Sequence, residues 1–335
     1  MQNISVIIPA YNSEKTIKTT IESVLNQTFA DFELIIVNDG SQDSTLDIIA
    51  KFQDSRIKVL SFNNSGGNVS RNRGLNYAVG EFISFLDADD IWTADKLEIQ
   101  LKALQENPQA AVAYSWTDYI NENGAFVVSG RHVNLNGDVY EELLLTNFLE
   151  NGSNPLIRRE ALIELGGFDK SLSAAQDWDM WLRLAYKFDF VCIPSVQILY
   201  RISANSVSSN LLRQEKACLQ LLERAYQARP STLKNNWNIS LTNLYKYLTC
   251  KALQKPLNRQ KSLAAAKFLW NYVLNDSSRL QRIAFSLKLL FKIIIILILP
   301  TSLHRIINPV KDRSQKAENQ PENRNGYSGA FTVSS

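Results

Sequence analysis

Short apolar runs alternate with segments of helical periodicity along the first 90 residues of the chain. Each run ends in a polar turn and predicts a buried strand, at 4–8, 34–37, 57–60 and 82–86. Between them, apolar residues recur every three or four positions, as along one side of a helix, at Ile17, Ile21, Val24 and Leu25, at Leu46, Ile49 and Phe52, and across 69–78. Strands that are apolar on both faces and alternate with helices favour a Rossmann-like α/β fold, with a mostly parallel sheet covered on both sides.

The rest of the chain changes character twice. Beyond residue 110 the patterns mix, with strands at 111–120 and 125–128 around the hairpin signal Asn123-Gly124, helices at 139–149 and 177–188, and an extended segment at 190–202. From residue 210 helical patterns remain, at 211–228, 233–253 and 263–274, and the polar composition from Asp312 predicts disorder. We therefore expect an α/β domain at 1–209, a helical region at 210–305 and a disordered tail at 306–335.

Charge and composition exclude several classes of protein. The formal net charge is +3 over 335 residues, which is too small to argue for a nucleic-acid partner. Three widely spaced cysteines give neither a disulfide framework nor a zinc motif. The two histidines, His132 and His304, weaken any histidine-based metal site or Ser-His-Asp triad. The N-terminus has the pattern of a strand rather than of a secretory signal, so we expect a cytoplasmic location.

Polar residues gather where the predicted parallel strands end. In an open parallel sheet, ligands bind in the crevice beyond the carboxyl ends of the strands. Three turns lie there: Ala10-Tyr11-Asn12, Asn38-Asp39-Gly40-Ser41 and Asp87-Ala88-Asp89-Asp90. The first turn lacks GxGxxG, and the sequence contains no GxxxxGK(S/T), which argues against a dinucleotide site and excludes a P-loop.

The stretch FLDADDIW places three carboxylates directly after an apolar strand. In an extended chain Asp87 and Asp89 point to the same side, where they repel each other unless a cation lies between them. Mg²⁺ or Mn²⁺ completed by substrate phosphates fits this pattern. The alternative is that Asp89 or Asp90 caps a helix beginning near Thr93. Asp39 has an alternative too, because Asn-Asp-Gly-Ser is ordinary turn chemistry.

In combination, the motifs VIIPAYN, VNDGS and SRNRGLNYAVGEFISFLDADD resemble the family 2 glycosyltransferases with the GT-A fold. The resemblance covers about the first 200 residues and depends on the order and spacing of the motifs. It implies an enzyme that uses a nucleotide-diphosphate sugar, UDP-sugar above all, together with a divalent metal ion, Mn²⁺ or Mg²⁺.

The resemblance also implies roles for individual residues. Asp39 would hold the uracil of a UDP-sugar, and Asp87 and Asp89 would form the DxD element that binds ribose and metal, with the metal at Asp89. Arg71 and Asn72 match the family's RN pair; Arg71 would lie near the base or diphosphate, where an arginine fork suits phosphate, and a surface arginine is the alternative. The other residues implied for the nucleotide-sugar pocket are Pro9, Ala10, Tyr11, Asn12 and Ala88.

The catalytic base is expected to be a carboxylate, because histidine is so scarce. The segment AAQDWDMW resembles the family's ED segment, which implies that Asp177 is the base of an inverting enzyme. Gln176 departs from the glutamate common at its position, so a supporting role there is open. Asp179 would point elsewhere on a helix. The alternative for both aspartates is helix N-terminal charge.

Upstream of the base, Gly166-Gly167-Phe168-Asp169 resembles the family's GGFD turn, which shapes the acceptor side. The two glycines also suit a helix C-cap after Leu165, and we expect them to serve both purposes. Trp178 and Trp181 either stack on a sugar ring, with Trp178 the better candidate, or belong to the core.

One base without a second catalytic carboxylate predicts a single in-line displacement with inversion. The QxxRW motif of processive synthases in this family does not follow Gln176, so addition of a single sugar is favoured, to a glycan, lipid-linked or other acceptor. The alternatives are a nucleotidyltransferase, whose Gly-rich and Lys-containing signature is missing, and a non-catalytic carbohydrate- or nucleotide-binding relative.

An apolar segment at 284–299 is flanked by basic residues. It is shorter than the stretch of about 20 apolar residues that a spanning helix needs. Lys288 and Lys292, one turn apart beside a wide apolar face, suit a helix lying in a membrane interface, which would place the protein at the inner face of the cell membrane. A buried core helix and a spanning helix are the alternatives.

Overall fold

The computed structural model describes residues 3–202, 210–228, 236–254, 259–276 and 282–298. Within these ranges, nine strands form one sheet. Their bounds are β1 Ile4–Ala10, β2 Phe32–Asn38, β3 Ile57–Ser61, β4 Phe82–Phe85, β5 Ile91–Trp92, β6 Ala110–Ile120, β7 Phe126–Ser129, β8 Leu156–Arg158 and β9 Asp189–Arg201. The disorder predicted for 306–335 falls on residues outside the described ranges.

The same ranges contain eleven helices. Their bounds are α1 Ile17–Leu25, α2 Thr45–Ile49, α3 Gly67–Tyr77, α4 Lys96–Glu106, α5 Tyr140–Leu145, α6 Arg159–Glu164, α7 Gln176–Ala185, α8 Leu211–Ala228, α9 Trp237–Ala252, α10 Arg259–Asn275 and α11 Ile283–Ile298. Helix α8 has the predicted bounds, whereas α5 ends at Leu145, short of the predicted residue 149. The short elements β5, β8 and α6 were not predicted, because so few residues give no readable period.

The sheet has the strand order β3-β2-β1-β4-β8-β6-β9-β5, and β7 pairs with β6. Strands β3, β2, β1 and β4 are parallel to one another, as the apolar pattern predicted. Strand β8 joins β4 and β6 antiparallel and so connects the parallel half to the rest of the sheet. The carboxyl ends of β1, β2 and β4 therefore open on one edge, which positions the turns that follow them.

The two faces of the sheet are covered by different helices. Helices α1 and α4 pack on one face around Ile8 and Leu34. Helices α3, α5 and α7 pack on the other, in a cluster that continues into α8, α9, α10 and α11 through Leu222, Leu248 and Phe268. The helical region thus shares a core with the α/β sheet. Among the residues that the structure describes, no helix is both long enough and apolar enough to cross a bilayer.

Candidate active site

The turns after β1 and β2 are bonded to each other. Ala10 lies beside Asn38 in the parallel register, and the Asp39 N–H donates to the Ala10 carbonyl at 2.8 Å. Asn12, which has a positive φ of 48°, accepts the Gln42 N–H at 2.8 Å through its side-chain oxygen. Tyr11 stays exposed beside them, while Pro9 is only partly buried. These contacts place four predicted pocket residues along one rim, with an open aromatic ring.

Asp39 is buried and organises the loop before α3. Its carboxylate accepts the Ser65 N–H at 3.0 Å and the Gly66 N–H at 2.8 Å, and it forms an ion pair with Arg73 at 3.3 Å. The interpretation of Asp39 as plain turn chemistry is therefore incomplete, because its side chain joins two crevice loops. A nucleobase bound there would share or replace these N–H bonds.

The acidic stretch after β4 is a turn rather than the extended chain that we expected. The Asp90 N–H donates to the Asp87 carbonyl at 3.1 Å, which closes a tight turn over Ala88 and Asp89. The Ala88 carbonyl accepts the hydroxyls of Thr16 and Thr20 of α1, at 2.9 and 3.0 Å. The alternation argument for Asp87 and Asp89 was thus wrong, and the turn brings their charges together instead.

Asp90 is a structural carboxylate. It is fully buried, accepts the Ser153 hydroxyl, and accepts the Arg201 N–H at 3.0 Å. Burial raises its pKa well above the ordinary value. The alternative that Asp89 or Asp90 caps the next helix is wrong, because α4 begins at Lys96 with Asp95 at its N-cap position.

Asp89 has the electrostatic character of a cation ligand. Its burial and then the charge of Asp87 raise the pKa of Asp89 to about 6, and a bound cation would relieve both effects. Within the described ranges, no three His, Cys, Asp or Glu side chains are grouped so that they alone could hold a metal ion. Two carboxylates completed by diphosphate oxygens suit Mg²⁺ or Mn²⁺, so the residues present fit such an ion.

Arg71 links the acidic turn to the predicted acceptor side. It projects from α3, donates to the Asp87 carboxylate, and lies with its guanidinium 5.5 Å from the Phe168 ring centroid. The Phe168 ring also packs edge-on against Phe85 at 5.0 Å. Phe168 is buried, so within these contacts it supports Arg71. Arg71 is only partly exposed, which argues against the plain surface arginine.

Asn72 fastens the GGFD turn to α3. Its amide donates to the Phe168 carbonyl and accepts the Phe168 N–H, both at 2.8 Å. Gly166 and Gly167 both have φ of +74°, and their N–H groups donate to Ile163 and Leu162 at the end of α6. The predicted C-cap is confirmed, and the same two glycines lead the chain to Phe168.

Asp177 lies in the first turn of α7. Its carboxylate accepts from the Asn147 amide at 3.3 Å. Burial raises its pKa above the ordinary value, against the opposing charge of Arg71. Asp179 points elsewhere, as expected, and pairs with Arg183 at 2.8 Å. Arg183 in turn donates to the Gly167 carbonyl at 2.9 Å, so the helix of Asp177 and the GGFD turn are one unit.

Gly152 stands where the donor-side and acceptor-side residues meet. A Cβ placed on it would lie 3.5 Å from the Arg71 guanidinium, 3.7 Å from the Asp87 carboxylate and 3.9 Å from Asp177. The three residues come from three distant segments of the chain. The loop that carries Gly152 and Asn147 was missed in the sequence, where Asn-Gly-Ser-Asn-Pro gives only a turn signal.

The two tryptophans of α7 belong to the core. Trp178 is 7% exposed and its indole N–H donates to the Leu143 carbonyl at 2.7 Å, while Trp181 is fully buried. Of the two interpretations in the sequence, the core one describes these rings; stacking of Trp178 on a sugar would require it to leave that packing.

Lys251 of helix α9 interacts electrostatically with Asp177. Lys251 donates to the Tyr247 hydroxyl at 2.8 Å. Its pKa is lowered to about 8 by burial, against the opposing charge of Asp177. Nothing in the local sequence of α9 marks either residue, because their nearness to Asp177 arises from helix packing alone.

The sequence pattern that defines "Glycosyltransferase like family 2" matches residues 5–252. The chain belongs to this family. The match confirms the resemblance of the sequence motifs and identifies the protein as a glycosyltransferase, which sets aside the nucleotidyltransferase alternative. It also extends past residue 209 into the helical region.

Two relatives match this chain over most of their own length. The Escherichia coli enzyme WfgD, "UDP-Glc:alpha-D-GlcNAc-diphosphoundecaprenol beta-1,3-glucosyltransferase", is 35% identical over 221 residues, which are 64% of this chain and 82% of WfgD. The putative teichuronic acid biosynthesis glycosyltransferase TuaG of Bacillus subtilis is 33% identical over 217 residues, 64% of this chain and 84% of TuaG. Some other relatives are much longer, and the matched region is 19% of the Pasteurella multocida chondroitin synthase.

Solved structures confirm the GT-A fold. Staphylococcus aureus TarS 1–349 in complex with UDP-GlcNAc has a TM-score of 0.55 at 20% identity, over 83% of this chain and 92% of that one. The mannosyltransferase PcManGT of Pyrobaculum calidifontis, in complex with GDP-Man and Mn²⁺, has a TM-score of 0.55 at 18% identity, over 88% and 87%. At such identities the likeness concerns the fold.

Proposed function

We propose that this glycosyltransferase moves a single sugar, with inversion, from a UDP-sugar to a hydroxyl group of a glycan or lipid-linked acceptor in the synthesis of cell-surface polysaccharide or glycoconjugate. The observation that carries the proposal is the meeting of Arg71, Asp87 and Asp177 around Gly152. The donor is supported by the UDP-Glc named for WfgD and the UDP-GlcNAc bound to TarS. The acceptor class is supported by the diphosphoundecaprenol named for WfgD.

The reaction requires a proton acceptor on one side of the anomeric carbon and, on the other side, a group that stabilises the negative charge of the leaving diphosphate. The acceptor oxygen forms a bond to that carbon while the bond to the diphosphate oxygen breaks, and the hydroxyl proton passes to the Asp177 carboxylate. Asn147 holds this carboxylate in place at 3.3 Å. The Arg71 guanidinium stabilises the negative charge that the departing diphosphate gains.

Asp89, together with Asp87, would hold a divalent ion. When bound, such an ion supplies Lewis-acid stabilisation of the diphosphate leaving group. The raised pKa of Asp89, which burial and Asp87 cause, supports this assignment. So does the Mn²⁺ in the complex of PcManGT. Tyr11, at the open rim, is the proposed stacking surface for the nucleobase.

The test is UDP release from a panel of UDP-sugars with hydroxyl acceptors, compared between the wild type and Asp177→Asn. Loss of the base should lower turnover by roughly 10²–10⁴-fold, while UDP binding in a thermal-shift assay stays. Asp47→Asn removes the same charge from the exposed side of α2 and serves as control. Unchanged turnover in Asp177→Asn would show that the base is assigned wrongly.

The metal assignment has a separate test. Treatment with a chelator should abolish turnover and weaken UDP binding, and added Mn²⁺ should restore both in the wild type. Asp89→Asn should need far more Mn²⁺ for the same recovery. If UDP binding and turnover are both indifferent to chelator, Asp89 is not a metal ligand.

A further inference from the structure

Helix α11 has two apolar faces, of which one is in contact with the protein. Ile293 and Ile296 are buried in the core, and Phe285 packs edge-on against Tyr272 of α10 at 6.1 Å. On the opposite side a second set of apolar residues is exposed. This outer stripe consists of Leu287, Leu290, Phe291, Ile294 and Ile298.

The outer stripe has regular helical spacing. Its other members lie three, four, seven and eleven residues after Leu287, so they form one continuous face of the helix. Phe291 is 66% exposed, and Trp270 of the adjoining helix α10 is equally exposed. An apolar face of this extent exposed to water indicates an interaction surface.

The helices around the stripe carry charge of one sign. Across α9, α10 and α11 there are seven basic residues and no Asp or Glu: Lys246, Lys251, Arg259, Lys261, Lys267, Lys288 and Lys292. The chain as a whole is nearly balanced, with 36 Lys and Arg against 33 Asp and Glu. Lys267 pairs with Glu215, Lys251 is near Asp177, and Lys246, Arg259 and Lys288 are exposed. The partner of this surface must therefore tolerate, or prefer, positive charge.

Helix α11 is also fixed to the protein along its inner side. The Lys292 ammonium donates to the Leu253 carbonyl at the end of α9, at 3.2 Å, whereas Lys288 remains exposed. The helix has 16 residues, which span about 24 Å, less than the apolar thickness of a bilayer. A helix of this length with a basic flank and an apolar face suits a position parallel to a membrane surface.

We propose that the outer stripe of α11 docks the protein on an anionic lipid bilayer, with Phe291 and its neighbours inserted among the acyl chains and the exposed Lys246, Arg259 and Lys288 facing lipid headgroups. This surface is separate from the candidate active site, and the proposal holds whether or not the proposed donor and acceptor are right.

Charge favours lipid over the two other occupants. A second copy docked through the same stripe would bring two sets of these exposed positive charges together, which is repulsive. Residues 299–335 of the same chain carry five Lys and Arg against three Asp and Glu, so this segment would add positive charge to the surface rather than oppose it. Anionic lipid supplies both the apolar environment and the opposite charge.

The experiment is co-sedimentation of the full chain with phosphatidylcholine vesicles, made with and without phosphatidylglycerol. The wild type should sediment with the anionic vesicles, and high salt should weaken but not abolish the binding, because the apolar part is not screened. Phe291→Ser should weaken binding roughly tenfold. Phe126→Ser is the matched control, since Phe126 of β7 is 63% exposed, and it should bind like the wild type.

Four results would each overturn the proposal. The wild type could fail to sediment with either vesicle, or it could bind neutral and anionic vesicles equally. The two Phe→Ser variants could lose binding to the same degree. Light scattering could show a dimer that Phe291→Ser makes monomeric without any change in vesicle binding, which would assign the stripe to a second copy. UDP-sugar hydrolysis, unchanged in both variants, would show that each is folded.

Discussion

Three aspartates within four residues have three different surroundings. Asp90 is buried against Ser153 and the Arg201 backbone, Asp87 pairs with Arg71, and Asp89 has a pKa raised to about 6 by burial and by Asp87. The sequence shows three equivalent carboxylates. Neighbours from distant segments distinguish them, because desolvation and paired charge act on each side chain separately.

At the residue scale, the pKa of Asp177 predicts the pH dependence of turnover. A base must be ionised, and burial raises the Asp177 pKa above its ordinary value. Turnover at saturating donor should therefore fall with decreasing pH at a higher pH than an unperturbed aspartate near 3.9 would give. The measurement is kcat against pH. An acid limb that survives in the residual activity of Asp177→Asn would belong to another group.

Gly152→Ala tests whether the space at the meeting point matters. The added methyl would lie 3.5–3.9 Å from Arg71, Asp87 and Asp177, which is ordinary contact, so the free energy of unfolding should change by less than about 1 kcal/mol. Turnover should nevertheless fall, by on the order of 10²-fold, because the methyl group would occupy space between these side chains and misplace the substrate. Urea unfolding and UDP release measure the two effects. Equal turnover with equal stability would remove Gly152 from the site.

At the scale of elements, the unit formed by α6, the GGFD turn and α7 positions the base. Arg183 and Asp179 bind the turn to α7, and Asn72 binds it to α3. The turn depends on two adjacent glycines of the same φ. A substitution that disturbs the GGFD turn should therefore move Asp177 relative to Arg71.

Gly166 and Gly167 allow a matched comparison of this unit. Both substitutions to alanine incur the cost of a positive φ, about 1 kcal/mol. At Gly166 the new Cβ meets nothing within 4 Å, whereas at Gly167 it would lie 2.5 Å from the Asn72 side-chain oxygen. Gly167→Ala should thus be less stable than Gly166→Ala by roughly 1–3 kcal/mol in urea unfolding. Equal stabilities would mean that the Asn72 side chain moves aside without lowering the free energy of unfolding.

At the scale of the whole molecule, the helical region packs against the α/β sheet that carries the candidate active site. Residues of α8, α9 and α10 lie in the same core cluster as the sheet, and Lys251 of α9 interacts electrostatically with Asp177. A cation near an aspartate favours its ionised form. The helical region is therefore expected to tune the base as well as to add stability.

Lys251→Met should raise the pKa of Asp177. The acid limb of kcat would move to higher pH, because the ionised aspartate loses a favourable charge. Lys246→Met, an exposed lysine of the same helix, is the control and should leave the limb in place. Identical pH profiles for the wild type and Lys251→Met would show that α9 does not reach the base electrostatically.

Much of the fold and part of the site were predictable. The four parallel strands, helices α1, α3 and α8 and the Asn123-Gly124 hairpin follow from apolar periodicity and turn chemistry, which are local properties. Strands β5 and β8 were missed because they are two and three residues long. The turn at Asp87–Asp90 was taken for extended chain, because a hydrogen bond between residues three apart leaves no mark on the apolar pattern.

The sequence by itself determined the fold class, the family and the types of chemistry at the strand ends, because periodicity and motif order are written along the chain. Only the tertiary structure decided which carboxylate is structural, and that Arg71, Asp87 and Asp177 lie close together around Gly152. It also decided that Trp178 belongs to the core and which face of α11 is exposed to water. The physical reason is that burial, pKa and contact depend on distances between residues far apart in sequence, and these distances exist only once the chain is folded.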